Sequence, residues 1–251
     1  MLKLLARLLF ASGLGLLGAS LWYRDAPPAQ EALRPEVFDA PVQVAVRKPA
    51  FDTTVDGVTY KVQPLYTYDL HGVVVSLHSS DSFIDYIHRA WNDSLNVVDL
   101  CVIWGDNVKA DLSEFSFSSG QFQCFWETKS EAAWKAFDQY QISNNHLLSN
   151  DPAVTKRLRS VRIGDQVRFR GYLAEYSHNH GFPFKRGTSI VRTDTGNGAC
   201  ETVFVEDFEN LKPGGGPWRR LFWVALGLLA LGLVVWLAVP AEIDNSDFVK
   251  H

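Results

Sequence analysis

Leu221 to Val239 reads LFWVALGLLALGLVVWLAV, nineteen residues without a charge. As an α-helix rising ~1.5 Å per residue the run spans about 28 Å, the depth of a bilayer's hydrocarbon core. A helix apolar on every face suits lipid, because a soluble helix keeps one side polar for water. Enclosing it in protein instead would need a larger body than the rest of this chain supplies.

A second apolar block opens the chain. Leu8 to Trp22 (LLFASGLGLLGASLW) is uncharged and follows Lys3 and Arg7, the shape of a secretory signal or a short signal anchor. The small-residue cleavage pattern is poor and no Cys follows for lipidation. With Arg7 snorkelling, Leu4 to Trp22 is long enough to span, so the segment is expected to remain as an anchor. The expected organisation is an anchor helix over 1–24, a Pro-rich linker over 25–40 and a β-rich globular domain over 41–211. A Gly/Pro hinge (KPGGGP, 212–217), a membrane helix over 218–240 and a short polar tail over 241–251 complete it.

Flanking charge nearly ties: Lys3, Arg7 and Lys250 on one side of the two spans, Arg24, Arg219 and Arg220 on the other. The first segment usually sets the orientation, which places the domain outside the cytoplasm of a membrane of the bacterial inner-membrane type. The three cysteines, Cys101, Cys124 and Cys200, all lie in the middle domain without a CxxC. Two readings stand: a Cys101–Cys124 disulfide between adjacent strands with one spare thiol, or three reduced cysteines packed as small apolar groups.

A net charge of −4 with 47% hydrophobic and 13% aromatic residues excludes both a disordered chain and a polycationic one. Within the domain, β-branched and aromatic runs bounded by turn residues predict strands in PVQVAVR, LYTYDLHGVVVSLH, NVVDLCVIWG, EFSFSS and QFQCFWE (turning at Ser119-Gly120), QVRFRGYLAEYS, GTSIVRT and ACETVFVEDF. Helices are predicted in SFIDYIHRAWND, capped by Asp81 or Ser82, in SEAAWKAFDQY after Ser130, and in DPAVTKRLRSV after Asp151 with Pro152 in the first turn. The polar stretch SNNHLLSND (Ser143 to Asp151) reads as a loop and a possible binding loop. The fold class is mainly β with peripheral helices (α+β), an OB-like small barrel or a sandwich. RIGDQVRFRGYLAEYS, with Gly171 in mid-strand, is similar to the first strand of an OB-type barrel.

GxSxG, HExxH, the phosphate-binding Walker loop and the Rossmann glycine pattern are all absent, and no motif calls for a cofactor. His178 and His180 are spaced to share a metal, with His146 as a third ligand; the competing reading is a His-rich surface turn. Asp194-Thr195-Gly196 echoes the aspartic-protease triplet, but Arg192 and Thr193 precede it where two apolar residues belong, so a hairpin turn is the simpler account. Candidate binding residues are Trp104, Asp106 and Asn107 at the end of one strand and Arg186, Arg192 and Asp194 around the last hairpin. Trp91, Trp126 and Trp134 lie in neighbouring elements, as cleft lining or core wall. The basic group Lys156, Arg157, Arg159, Arg162, Arg168, Arg170, Lys185, Arg186 and Arg192 reads either as a binding face or as outward strand residues paired to local acids.

The leading expectation is a membrane-anchored, non-catalytic subunit or scaffold whose domain binds a ligand or a partner protein of a membrane complex, with the lipid bilayer as its other partner. Nucleic acid is not expected. The rival is a membrane-tethered hydrolase acting on an envelope or nucleic-acid substrate with Asp194, His178, His180 and Arg192, provided that these converge. A third reading is a cytoplasm-facing sensor with a basic binding face.

Overall fold

The structure, a computed structural model, describes residues 2–196 and 198–238; the expected tail over 241–251 and the last residues of the expected 218–240 helix lie outside the described residues. The chain divides into two units, one made of the two terminal segments and the other of Pro27–Gly214.

The terminal unit holds α1 (Leu2–Tyr23), and the domain opens with two short strands, β1 (Val42–Ala45) and β2 (Phe51–Val55). There follow β3 (Val58–Ser79), α2 (Ile87–Ala90), β4 (Asn96–Ile103), the hairpin β5 (Phe115–Gly120) and β6 (Gln123–Thr128), α3 (Glu131–Ala136) and β7 (Ile142–Leu148). Next come α4 (Pro152–Arg159), β8 (Gln166–His178), β9 (Phe184–Arg186) and β10 (Glu201–Lys212), and α5 (Trp218–Ala238) belongs again to the terminal unit. The molecule is thus mainly β, with one large mixed sheet, a few helices and two long apolar ones, both long and apolar enough to cross a membrane.

The spine of the sheet is β3, whose long alternating run pairs on one side with β8 from Lys61 to Val73 and, further along, with β4 from Val73 to Ser79. Its neighbours continue as β4, β7, β10 and β8, and β8 returns to β3. All these ladders are antiparallel except β7 with β10. The return requires β8 and β10 to approach closely. Gly171 in β8 makes this possible, since a Cβ there would run into the carbonyl of Phe204 beside the irregularity between Val205 and Asp207.

Period two sorts the side chains of β4. Leu100, Val102 and Trp104 join Tyr68, Leu70, Leu147, Phe169, Val203 and Phe208 in the main core, closed by Val154 and Leu158 of α4. Cys101 and Ile103 face the other way, toward Val37, Val75, Val108, Leu112 and Phe137. The Ser130 and Asp151 caps of α3 and α4 form as read, accepting from the N–H groups of Ala133 and Ala153.

Several expectations are corrected. The run at 82–93 is helical only over Ile87–Ala90, because Asp85, not Asp81 or Ser82, receives the His88 N–H and leaves the preceding residues in turns. GTSIVRT is not a strand: Ser189 bonds Val191 and Asp194 instead of a neighbouring ladder. SNNHLLSND is not a loop, for Ser143 to Leu148 form most of the central strand β7. The hairpin turn sits at Gln121-Phe122 rather than Ser119-Gly120, with Phe122 in the left-handed region at φ 65°. Nor is 25–40 a free linker. Val37 is buried, Leu33 packs beside it, and the side chain of Gln166 accepts from the Arg34 N–H and donates to the Ala32 carbonyl.

In the terminal unit α1 and α5 pack antiparallel through small residues. Ala6, Gly13 and Ser20 of α1 are buried at seven-residue spacing, as are Ala225 and Gly232 of α5. Gly13 sits under Leu229, Gly232 against Leu9, and the Tyr23 and Trp218 rings stack at 4.9 Å at the other end. Such stripes let helix backbones approach where lipid gives no hydrophobic drive to association.

The Gly171→Ala substitution is expected to lower stability by about 2–3 kcal/mol, read as a drop in the melting temperature of the full-length protein in detergent. A change below ~0.5 kcal/mol contradicts the close β8–β10 approach.

Candidate ligand-binding cleft

Asp99, in the middle of β4, is 1% exposed. A carboxylate taken that far from water needs partners on both oxygens. Its cross-strand neighbour in β7, His146, supplies one at 2.6 Å through Nδ1, Asn96 donates at 3.0 Å to the same oxygen, and the Phe122 N–H at the hairpin tip reaches the other oxygen at 3.0 Å. Burial alone would push the Asp99 carboxyl up; the hydrogen bonds of His146 and Asn96 and the charge of Arg186 outweigh it and hold it down at about 2.

The chain of contacts continues in both directions. Arg186 of β9 donates through Nη2 to His146 Nε2 at 2.8 Å. A guanidinium has no lone pair to offer, so Nε2 must accept and Nδ1 must carry the proton given to Asp99. His146 is therefore neutral, consistent with burial, the largest effect, pushing its pKa down against the pull of Asp99. On the other side Asn96 donates to His88 Nε2 at 2.8 Å, and His88 Nδ1 (2.6 Å) and His78 Nε2 (2.8 Å) both donate to the buried Asp85. Elements far apart in sequence are thus tied by one string of hydrogen bonds that ends at Arg186.

Arg186 opens onto a cleft of about 990 Å³. One wall is the outer face of β7 and β10, with Asn144, His146 and Thr202 and with Cys200 just before β10; another is the hairpin tip at Phe122; Trp91, Phe184 and residues of the 187–196 segment complete it. Phe122 is the hub. Its ring lies 3.8 Å below the Arg186 guanidinium and stacks on Trp91 at 5.4 Å and 10°, while its carbonyl accepts from the Cys200 thiol. These contacts hold a bulky residue in a left-handed backbone conformation that costs on the order of 1 kcal/mol.

Two devices fix the walls. The Cys101–Cys124 disulfide forms, with Cα atoms 5.7 Å apart, but it joins β4 to the separate β5–β6 hairpin rather than two adjacent strands of one sheet. The 187–196 segment is held by Arg192, which forms an ion pair with buried Glu201 and lies over the rings of Tyr68 and Trp104. Burial raises the Glu201 carboxyl to about 7, with Arg192 pulling it down and Asp194 pushing it up. Cys200 is the free thiol, and burial, opposed by the Asn144 amide, raises its pKa.

Of the residues expected from sequence, Arg186 and Asp194 both line the cleft. Trp104 and Arg192 meet each other, but Trp104 is 3% exposed and belongs to the core. Asp106 and Asn107 lie elsewhere: Asp106 pairs with Lys109 on the surface, and Asn107 is a buried clasp between its own turn and the backbone of Asp138 and Gln141. His178 and His180 do not form the expected metal pair. His178 ends β8, donates from Nε2 to the Trp91 carbonyl and accepts the His180 N–H at Nδ1, so both ring nitrogens are committed, and His146 is bound to Asp99 and Arg186. No group of three metal-ligating side chains occurs among the described residues. The set proposed for a hydrolase does not converge either: Asp194 bonds Ser189, Arg192 bonds Glu201, and His178 turns to Trp91.

The basic group is largely paired with local acids, Arg168 with Asp69, Arg170 and Arg157 with Asp207, Arg159 with Asp81, Lys185 with Glu175. Arg186 differs, having a histidine and a ring in place of a carboxylate. Asn144 falls within the polar stretch read as a binding loop, whereas nothing in the local sequence of Phe122 and Cys200 marks them as site residues; only the packing of β7 between β4 and β10 brings the three together. No protein-family model, curated protein or solved structure matches this chain.

Two pH effects follow. Glu201 has a raised folded-state pKa, so its contribution to stability is complete below pH ~4.5 and is lost as pH rises through about 7. Denaturation at pH 4.5 and 8 is expected to show a loss on the order of 3 kcal/mol that Glu201→Gln removes; an unchanged slope in the variant contradicts this. Asp99 has a lowered pKa, so its contribution is present above pH ~3.8 and disappears as pH falls through about 2. Asp99→Asn is expected to cost about 3 kcal/mol at pH 7 by stranding the donors of His146 and Phe122, and equal melting of variant and parent at pH 7 argues against that role.

Proposed function

We propose that this chain is a membrane-anchored, non-catalytic binding subunit, its domain on the extracytoplasmic side of a bacterial inner-membrane-type bilayer and its ligand held in the Arg186 cleft. One observation carries the binding reading. Arg186 is fixed on one edge by His146 and on one face by Phe122, and it points into a cleft with no carboxylate within ion-pair distance among the described residues. A cation ordered at such expense of buried polar chemistry, yet unpaired, is prepared for something outside the chain.

Support for the location comes from the Cys101–Cys124 disulfide, since such bonds persist in oxidising compartments. The two apolar helices supply the anchors, and tethering at both ends suits a subunit of a membrane complex better than a diffusing enzyme. We also propose that the ladder β3-β4-β7-β10-β8 is a five-stranded OB-type barrel. Its return to β3 and the placement of α4 between the third and fourth strands favour this. On that reading β8 is the fourth strand rather than the first. The cleft then lies on the outer face of the third and fifth strands and between the loops after the first and fourth, the loops between which such barrels take ligands.

A reporter active only outside the cytoplasm is expected to work when inserted after Pro28 and to fail when fused after His251; the reverse result refutes the orientation. For binding, a photoreactive residue replacing Phe125 at the cleft rim is expected to cross-link a ligand or subunit in intact membranes, with a yield cut about tenfold by Arg186→Gln. A yield indifferent to that substitution sinks the binding reading.

A further inference from the structure

We infer that the cleft recognises a monoanionic carboxylate bearing an N–H donor, the chemistry of a peptide C-terminus or an N-acylated amino acid, with Arg186 taking the carboxylate and Asn144 the N–H. The inference rests on the cleft being a binding site and adds the ligand's class.

The first half of the argument concerns Arg186. Its Nη2 edge is spent on His146 and one face on Phe122, which fixes the plane of the guanidinium at the cleft wall and leaves its other donors without a hydrogen-bond partner among the described residues. Two donors held in a plane match two oxygens in a plane, so a carboxylate is received without ordering a flexible side chain. Asp194, held on the cleft wall by the Ser189 hydroxyl, adds negative charge nearby. That is tolerable for a ligand with a single charge and adverse to a dianionic phosphate.

The second half concerns Asn144, which shares the outer face of β7 with His146 two residues on, one strand repeat or about 7 Å away. It is 6% exposed and lines the cleft. Its Nδ2 donates to Cys200 Sγ, but its Oδ1 has no partner among the described residues. A buried amide oxygen without a donor is an unfavourable arrangement, and a ligand N–H relieves it. Arg186 and Asn144, which carry the anion receptor and the orphan acceptor, thus line one cavity. Trp91 and Phe184 offer apolar wall to the rest of the molecule.

Ligand-detected NMR titration of the full-length protein in detergent tests this, with N-acetylglycine, acetate, N-acetyl-triglycine and inorganic phosphate as probes. N-acetylglycine is expected to bind saturably, and acetate several-fold more weakly for want of the N–H. Arg186→Lys is expected to weaken both about tenfold or more, because a point charge replaces the planar fork. Asn144→Ala is expected to bring N-acetylglycine down to the affinity of acetate while leaving acetate unchanged, which also shows that the variant is folded. A gain for N-acetyl-triglycine assigns a peptide terminus, and equal affinity assigns the small acid. Phosphate binding more tightly than the carboxylates, or N-acetylglycine binding that ignores both substitutions, overturns the ligand class. Absence of saturable carboxylate binding overturns it too, while Arg186-dependent cross-linking in membranes continues to judge the broader reading separately.

Discussion

The arrangement depends on one buried charge. Asp99 sits where water does not reach, and its ionised form persists because three donors from three parts of the chain converge on it. Each donor is thereby fixed: His146 in one tautomer, Asn96 in one rotamer, the hairpin tip in a backbone conformation that phenylalanine avoids elsewhere. Removing any one leaves an uncompensated polar group in the interior, so the cluster acts as a unit. This is why a polar sequence, Ser143-Asn144-Asn145-His146, occupies the centre of a sheet rather than its edge.

The same charge explains the state of the cleft. Because Asp99 accepts a hydrogen bond from the Nδ1–H of His146, the other nitrogen is left with a lone pair that anchors Arg186, and the guanidinium settles on Phe122. Order therefore passes from the interior to the surface through bonds of defined polarity. The disulfide and the Arg192–Glu201 pair act on the walls, one holding the hairpin to β4 and the other holding the 187–196 segment at Tyr68 and Trp104.

What could be read from sequence follows from which forces are local. The apolar helices and the caps at Ser130 and Asp151 are properties of neighbouring residues, and they stand as read. The strand β7 was illegible, since its polar side chains look like a loop until partners 40 or more residues away in β4 and β9 are known. Arg186 and Asp194 were found among the candidates, whereas Asp106 and Asn107 drew attention through turn chemistry that serves the turn alone. Phe122 gave no signal, because its strain is imposed by tertiary contacts.

The clasp at Ala32 bears on mechanics. Its carbonyl accepts from both Gln166 and Lys212, so the start of the domain is fastened to the base of its last long strand. Tension drawn between the two ends of the domain would load this fastening before any strand ladder beside Arg186. A tug transmitted along the chain would be absorbed there first, leaving the geometry around Phe122 undisturbed until the clasp gives way.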